Sequence, residues 1–426
     1  MFVATGIVAL LAVLIAWRWQ VGNISPEAPA APPPPPNPNA YDVFVAAGEA
    51  VVDPKAVNAA LTPFSAPRPG ARVFSPAEQQ ALVRANAGVL KAVRGGFAQP
   101  FQAPPADDPG DRANAERKIE AVGRFRTLAR LLVLEGQVKA GRGDADAAAN
   151  CYLDAVRLGH TLPRGGAIIE RLSGIACQAT GRAYLWPAVD SLSAPGARAA
   201  ARRLEAIRAR SVPFADTFVQ EKRVTLTFLL DTFDGGRIAA RGGGAPGAGA
   251  AAGAVFLVFP KRVIFENMSA AMDREIAQAR RPFGAKAAAE AAAADPARDP
   301  LSRTIMGIHR PVFAKARFTQ VVSETQDALL AAALALRAYR AGRGAYPAAL
   351  NELAPAYLGR IPGDPFAPGK GLGYARQAGG YVLYSVGPDG KDDGGTPVDN
   401  PAARGSKRHR IEEGSRGDIV AGVNTG

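Results

Sequence analysis

The spacing of apolar residues predicts a mostly helical chain. Over residues 112–141 apolar side chains recur every three or four positions, which places them on one face of an amphipathic helix. Residues 141–144 (GRGD) interrupt this pattern, and a second helix is predicted over residues 145–158. Comparable patterns predict further helices over residues 76–93, 167–191, 197–209, 213–233, 262–280 and 321–340.

Near the C-terminus the pattern changes to the alternation of apolar and polar residues that is typical of β-strands. Two such stretches, residues 372–376 (LGYAR) and 381–386 (YVLYSV), flank residues 377–380 (QAGG). Because glycine readily adopts positive φ angles, this sequence predicts the tight turn of an antiparallel β-hairpin. The fold class that we expect is therefore α+β, with a mostly α-helical middle and a small C-terminal sheet.

The N-terminal segment predicts a transmembrane helix. Residues 2–17 contain no charged side chain, and as a helix they would span roughly 25 Å. Trp17 and Trp19 suit a membrane interface, and no small residues follow that would favour cleavage of a signal peptide. Arg18, after the span, favours a cytoplasmic body, whereas the proline-rich residues 21–41 favour a body outside the cytoplasm. We expect a single-pass protein of the inner (cytoplasmic) membrane with a periplasmic body.

The first two predicted helices have small and aromatic residues where antiparallel helices would approach closely. Gly136, Ala148, Tyr152 and Ala155 have mutual spacings that resemble those of one tetratricopeptide unit. No full-length period repeats cleanly along the sequence. The pattern predicts a solenoid-like or irregular helical bundle over residues 42–281, a kind of surface that usually binds peptides or protein partners rather than performing chemistry.

Motifs in the last hundred residues occur in the order in which one protein family has them. A predicted helix runs into residues 338–339 (AY) and 344–347 (GAYP), and residues 362–365 (PGDP) and 384–390 (YSVGPDG) follow. Residues 319–426 resemble the globular head of the major (G-type) pseudopilins of type II secretion systems. The N-terminus departs from that family, because Gly6 follows no basic residue and Leu11 stands where the family has glutamate. We therefore do not expect the chain to enter a pilus through its own N-terminus.

The resemblance implies a calcium site after the second strand. In G-type pseudopilins an aspartate of the YSxGxDG motif and a later aspartate bind Ca²⁺, and Asp389 and Asp418 stand at these two places. Asp392 and Asp393 would add carboxylate oxygens, which hard cations prefer as ligands. The alternative interpretation is a solvated Asp/Gly turn at the exit of a hairpin. The long stretch between Asp389 and Asp418, which includes the basic residues 407–410, departs from the family.

Composition and charge limit the classes of partner that we expect. The formal net charge of +13 would permit an anionic partner, but the arginines are scattered among alanines and no nucleic-acid-binding module is recognised. We therefore expect no nucleic-acid partner. The two cysteines, Cys151 and Cys177, could pair across adjacent helices or lie buried as small apolar residues, and we favour the second interpretation.

No catalytic motif is recognised in the sequence. Residues 242–247 fit GxGxxG, but they lie in low-complexity Gly/Ala sequence without a strand before or a helix after them. His160, Arg164 and Glu170 lie near one predicted inter-helix loop and are the first candidates if the chain is an enzyme. No small-molecule substrate is identified, and we expect a protein that is not an enzyme.

The sequence thus predicts a membrane-anchored, extracytoplasmic scaffold that binds a protein partner through its helical middle and has a pseudopilin-like head that calcium could stabilise. The first alternative is an accessory component of a type II secretion or type IV pilus-like system, and the second is an enzyme with an unrecognised site. The predicted domains are a transmembrane anchor (1–20), a proline-rich linker (21–41), a helical, partly tetratricopeptide-like domain (42–281), an Ala/Pro linker region (282–318) and a pseudopilin-like C-terminal domain (319–426).

Overall fold

The computed structural model describes residues 26–30, 32–61, 72–105, 112–233, 260–284, 299–403 and 408–425, together with the single residues 13, 16, 20, 24 and 405. Among these residues, no helix combines the length and the apolar character that crossing a membrane requires. The predicted anchor over residues 1–20 lies almost entirely outside the described residues. The Gly/Ala segment 241–253 lies wholly outside them, and the Ala-rich segment 285–300 does so for most of its length.

The described residues form eleven α-helices, numbered here in chain order. They are α1 (Ala40–Glu49), α2 (Pro54–Ala59), α3 (Pro76–Ala85), α4 (Ala87–Gly96), α5 (Arg112–Ala140), α6 (Ala145–Thr161), α7 (Ile168–Leu185), α8 (Ala194–Ala209), α9 (Phe214–Phe233), α10 (Lys261–Ala279) and α11 (Pro300–Arg343). Short 3₁₀ turns lie at Val189–Ser191 and Leu350–Leu353. The helices predicted between residues 76 and 340 are confirmed, with one division and one long extension.

The division separates α3 from α4, where a single helix was expected over residues 76–93. Asn86 lies at the junction, and its side-chain amide donates hydrogen bonds to the carbonyl oxygens of Leu82 (2.9 Å) and Val52 (3.1 Å). The same side chain accepts a hydrogen bond from the backbone N–H of Val52 at 2.8 Å. Asparagine often competes in this way for backbone partners inside a helix, and here it ties the junction to the loop between α1 and α2.

The extension concerns residues 300–318, which were expected to belong to a linker. They form the first part of α11, which continues to Arg343 and contains Pro311. The helix begins with a standard signal, because the Asp299 carboxylate accepts a hydrogen bond from the Ser302 N–H (2.8 Å) and Pro300 follows at the first helical position. The linker prediction for these residues was wrong, because Asp299 and Pro300 form a helix start.

Close approach of backbones holds α5, α6 and α7 together. A Cβ atom on Gly159 of α6 would lie 2.3 Å from the carbonyl oxygen of Gly174 on α7, and one on Gly181 would lie 2.5 Å from that of Tyr152. Only glycine permits helices to pack at such distances. Gly136 of α5 and Tyr152 of α6, two of the residues at tetratricopeptide-like spacings, also pack together, since a Cβ on Gly136 would lie 2.3 Å from the tyrosine ring. Cys151 and Cys177 are both buried and unpaired, as we favoured.

The second part of α11 lies inside the molecule. Every side chain over residues 328–336 is 0% exposed, so this stretch is covered on all sides, as expected for a helix that is apolar all round. It packs against α7, α8 and the C-terminal sheet. Residues of the predicted head, including Leu353, Leu383 and Ile419, belong to the same core as the helices. We call this shared core the main core.

The small sheet is antiparallel and has the order β1-β2-β3, with β1 at Gly373–Gln377, β2 at Gly380–Ser385 and β3 at Ile419–Val420. Gln377 pairs with Gly380, which leaves a two-residue turn in which Gly379 has φ 80°. The predicted hairpin and the coarse α+β class are therefore confirmed.

A second, separate core joins α9, α10 and the first part of α11. We call these helices, with α11 taken from Pro300 to Ala316, the three-helix unit. Its core is built mainly from phenylalanine and methionine side chains together with Leu226, Leu229, Ile264 and Ile276. Arg171 of α7 connects this unit to the main core, because its buried guanidinium donates hydrogen bonds to the carbonyl of Val212 (3.1 and 3.2 Å) and to the Thr217 hydroxyl (2.9 Å).

Candidate functional site

The aspartates of the C-terminal loop mostly bind groups of their own loop. The Asp418 carboxylate is buried and accepts hydrogen bonds from the N–H groups of Gly395 (2.6 Å) and Asp393 (3.3 Å). Asp392 accepts from the Tyr384 hydroxyl at 2.9 Å and from the Gly394 N–H at 3.0 Å. Asp389 accepts only from the N–H of Lys391, at 3.2 Å. These bonds are those of a loop stabilised by Asx turns.

Three of the four predicted ligands, Asp392, Asp393 and Asp418, lie close enough for their charges to interact. Burial raises the pKa of Asp418, hydrogen bonds from the Gly395 and Asp393 N–H groups oppose this shift, and the charges of Asp392 and Asp393 add to it. In the part of the chain that the structure describes, however, no group of three or more His, Cys, Asp or Glu side chains is arranged to hold a metal ion. In this arrangement the aspartates do not form a ligand cage, and calcium binding stays a prediction.

Asp364, within residues 362–365, connects two of the motifs that resemble those of pseudopilins. Its buried carboxylate accepts hydrogen bonds from the Ser385 hydroxyl (2.6 Å) and from the N–H groups of Phe366 and Val386 (both 2.9 Å). Ser385 and Val386 belong to the YSVGPDG motif at the end of β2. The two motifs therefore have a structural role here, which is to fix the chain after α11 to the sheet.

The three enzyme candidates lie in different surroundings. His160 and Arg164 line one cavity, together with Arg157, Arg203 and Arg210. Glu170 is not among the residues that line it; this buried carboxylate accepts a hydrogen bond from the Ala167 N–H (2.9 Å) at the start of α7, and burial raises its pKa. The suspected trio is thus not assembled as one site.

His160 belongs to a buried polar network that the sequence did not reveal. Its Nε2 lies 2.9 Å from the Asp327 carboxylate, and its Nδ1 lies 2.6 Å from the Ser211 hydroxyl. Arg182 donates to the other Asp327 oxygen at 2.8 Å. Burial opposes ionisation of Asp327, but the charges of Arg182 and His160 outweigh burial, so the pKa of Asp327 lies well below its ordinary value. Both ring nitrogens of His160 are engaged in this structural network.

A candidate binding surface lies on the three-helix unit. A cavity of about 620 Å³ opens between α9, α10, α11 and the C-terminal head. Its walls are largely apolar and include Phe218, Phe283, Phe313 and Pro388. Arg310 and Glu275 also line it, and the charge of Arg310 partly offsets the effect of burial, which raises the pKa of Glu275. A cavity of this size with a few polar groups is typical of ligand and peptide sites.

Apolar side chains are also exposed on the outside of the same unit. On α11, Ile308 and Val312 are 66% and 48% exposed and are one turn apart, beside the cavity-lining residues Gly307 and Pro311. Val219, Phe228 and Val263 on α9 and α10 are also exposed.

Two of these features had signals in the sequence that could have revealed them. The helix start at Asp299-Pro300 would have placed Ile308 and Val312 on one helical face. Arg157 and Arg164, and likewise Arg203 and Arg210, lie at or just after the C-terminal ends of two predicted helices, where basic residues are favoured. The network of His160, by contrast, joins residues 145 and 167 positions apart and has no local signal.

Comparison of the chain with family models, with curated proteins and with solved structures gave no significant match. The function must therefore be argued from the chain itself.

Proposed function

We propose that this chain is a membrane-anchored, extracytoplasmic scaffold without enzymatic activity, and that its three-helix unit receives an apolar segment of a partner protein. One observation carries the proposal: the unit has the largely apolar cavity of about 620 Å³ and also exposes apolar side chains on its outside. Apolar cavities and exposed apolar side chains are both typical of protein-interaction sites. The anchor is residues 1–20, proposed from their sequence alone.

The composition of the unit supports a role in recognition. The chain has 4 methionines, and Met268, Met272 and Met306 all lie in the core of the three-helix unit. Methionine is flexible and polarizable, so a core rich in it can repack when a partner binds. The main core instead relies on glycines at backbone contacts, which leave little room for adjustment.

The chemistry of the surface suggests the kind of partner. Arg310 and Arg317 line the cavity together with Glu275 and Glu413, and the surrounding described residues 260–284 and 299–318 contain more Lys and Arg than Asp and Glu. An amphipathic helix with an apolar face and flanking acidic residues would match both the apolar walls and the charge. We therefore assign this segment to the partner rather than to a second copy of this basic chain.

The connection to the main core makes the unit a scaffold. Helix α11 runs without a break from the three-helix unit into the main core, and Arg171 adds buried hydrogen bonds between the two. A partner bound to the unit would thus be held at a fixed position relative to the C-terminal head.

A second candidate is an accessory role in a type II secretion or pilus-like system, favoured by the contact of Asp364 with Ser385 between two pseudopilin-like motifs. In this role too the chain would be tethered by its anchor. The helix that leads into the head is buried over residues 328–336, which leaves that stretch no free face for packing into a filament.

Site-specific photocrosslinking in intact cells tests the partner surface. A crosslinker replaces Ile308 in one variant and Ile119, which is 61% exposed on α5, in a matched control. We expect a discrete adduct from position 308, and we expect Ile308→Asp with Val312→Asp to abolish capture of that protein while Ile119→Asp retains it. Equal capture by all variants would overturn the proposed surface. Recovery of the intact chain in the soluble fraction of the same cells would overturn the anchor.

A further inference from the structure

A second cavity has a different chemical character from that on the three-helix unit. It measures about 360 Å³ and lies between the end of α4, the C-terminal half of α6 and the C-terminal half of α8. Its lining includes Arg157, Arg164, Arg203 and Arg210, together with His160. Of the described residues that line it, none is acidic. Concave sites with charge of one sign concentrate ligands of the opposite sign.

The guanidinium groups lie close enough to repel one another. Burial lowers the pKa of Arg157, and the charges of Arg203 and Arg210 lower it further, with only Asp154 acting in the opposite direction. Asp154 is not a dedicated counterion, because it pairs with both Arg203 and Arg94. The cluster therefore has an excess of positive charge that a bound anion would neutralise.

The hydrogen-bond donors of the cluster are only partly used. Arg157 donates to the Phe97 carbonyl at 2.7 Å and its guanidinium lies over the Phe97 ring, and Arg164 donates to the Arg210 carbonyl at 3.4 Å. The side chain of Arg210 has no hydrogen bond or ion pair to a residue that the structure describes. Since each guanidinium has five N–H donors, several stay available to a ligand.

The cavity wall also contains an unsatisfied polar group. The side-chain oxygen of Gln99 is buried and has no hydrogen-bond partner among the described residues. A buried amide without a partner is uncommon in proteins, because losing its hydrogen bonds to water is costly.

We propose that this cavity binds a small anion of the phosphate class, such as a phosphate monoester or a diphosphate. The fixed fork of arginine donors matches the geometry of phosphate oxygens, and such a group has a charge near −2 at neutral pH, which several arginines can share. The volume is at the lower end of the range for small-molecule sites. This site is independent of the partner surface on the three-helix unit.

Isothermal titration of the full-length protein in detergent, with pyrophosphate and with phenyl phosphate as probes, tests the site. Arg164→Gln with Arg210→Gln removes two arginines that are exposed at the rim of the cavity. Arg280→Gln with Arg303→Gln removes the same net charge from exposed positions outside the lining. We expect the first pair to weaken binding by about tenfold or more and the second to leave it unchanged, because lost charge-assisted hydrogen bonds have that order of effect.

The competing explanation is that these basic residues only complement the C-terminal ends of α6 and α8. In that case the first pair would lower the melting temperature, and the probes would bind weakly and equally to the wild type and both double variants. That result would overturn the proposal. Since free and lipid phosphates share this chemistry, competition with water-soluble dihexanoyl phosphatidic acid distinguishes the sources: displacement of pyrophosphate by it assigns a lipid headgroup, and its failure to compete assigns a soluble phosphate compound.

Discussion

The main core and the three-helix unit share one helix but are built on different principles. In the main core, α6 and α7 touch through backbone at Gly159, Gly174 and Gly181, and residues 328–336 of α11 have no exposed surface. The three-helix unit packs through phenylalanine and methionine side chains and leaves Ile308 and Val312 in solvent. The first arrangement has one close-packed solution, whereas the second can adjust.

This difference indicates that the two parts of α11 have different roles. The helix passes from the second core to the main core between Ala316 and Phe318, a short distance after Pro311. Rigid packing after this point fixes the C-terminal head to the helical body. Adaptable packing before it suits recognition. The predictions below test whether the main core is indeed the less tolerant region.

The largest effect is expected at Asp327 of the main core. Asp327→Asn removes the carboxylate that pairs with the buried Arg182 and contacts His160. Removing one partner of a buried ion pair typically costs about 3–5 kcal/mol, because the remaining charge is desolvated and unpaired. Chemical denaturation of the full-length protein measures this loss.

The matched control lies on the three-helix unit. Asp273 pairs with Lys222 at 2.7 Å, but its side chain is 60% exposed, so Asp273→Asn should cost less than about 1 kcal/mol. Equal losses at Asp327 and Asp273 would contradict the view that the main core contains the critical polar network.

A smaller effect is expected from adding one methyl group to a glycine in each region. Gly159→Ala forces a Cβ to within 2.3 Å of the Gly174 carbonyl oxygen, so the free energy of unfolding should fall by about 1–3 kcal/mol. Gly307 lies within α11 of the three-helix unit, and a Cβ there meets nothing within 4 Å. Gly307→Ala should therefore stabilise the protein by about 0.5–1 kcal/mol. Thermal and urea unfolding of both variants provide the comparison, and a stabilising Gly159→Ala would show that the helices can separate without cost.

Local features of this fold were predictable from the sequence, and long-range ones were not. The hairpin turn at residues 377–380 follows from two glycines between alternating strands, and α5 and α6 follow from apolar spacing. The burial of α11 between the helices and the sheet depends on contacts with α8, more than a hundred residues earlier. No local pattern encodes such a contact, so the head was predicted as a separate domain although it shares the main core.

The candidate sites show the same limit. The loop aspartates were identified from their resemblance to a pseudopilin motif, but whether their oxygens face a cation or backbone N–H groups depends on the path of residues 393–418. His160 and Arg164 were noted as neighbours along the chain, whereas Arg203 and Arg210 join them only because α8 packs against α6. The apolar surface at Ile308 was missed because its helix was interpreted as a linker.

A pH-dependent effect is expected at the joint between the two regions. Glu170 on α7 and Glu221 on α9 accept hydrogen bonds from adjacent N–H groups at the start of α7. Glu170 accepts from Ala167 at 2.9 Å, and Glu221 accepts from Ile168 at 3.2 Å. Burial raises the pKa of both carboxyls, so the folded protein favours their protonated forms. Their contribution to stability is full below a pH of about 4.3, the ordinary pKa of glutamate, and is lost as the pH rises through the folded pKa.

Glu170→Gln should therefore gain stability relative to the wild type as the pH rises from about 4.5 to 7, by at most about 1.4 kcal/mol per pH unit. Urea unfolding at several pH values measures the difference, and Glu221→Gln should show the same sign with a smaller slope, because its side chain is the less buried of the two. A difference between wild type and Glu170→Gln that stays constant with pH would mean that this joint is open to water and that the two regions are less firmly connected than the packing of α7 and α9 indicates.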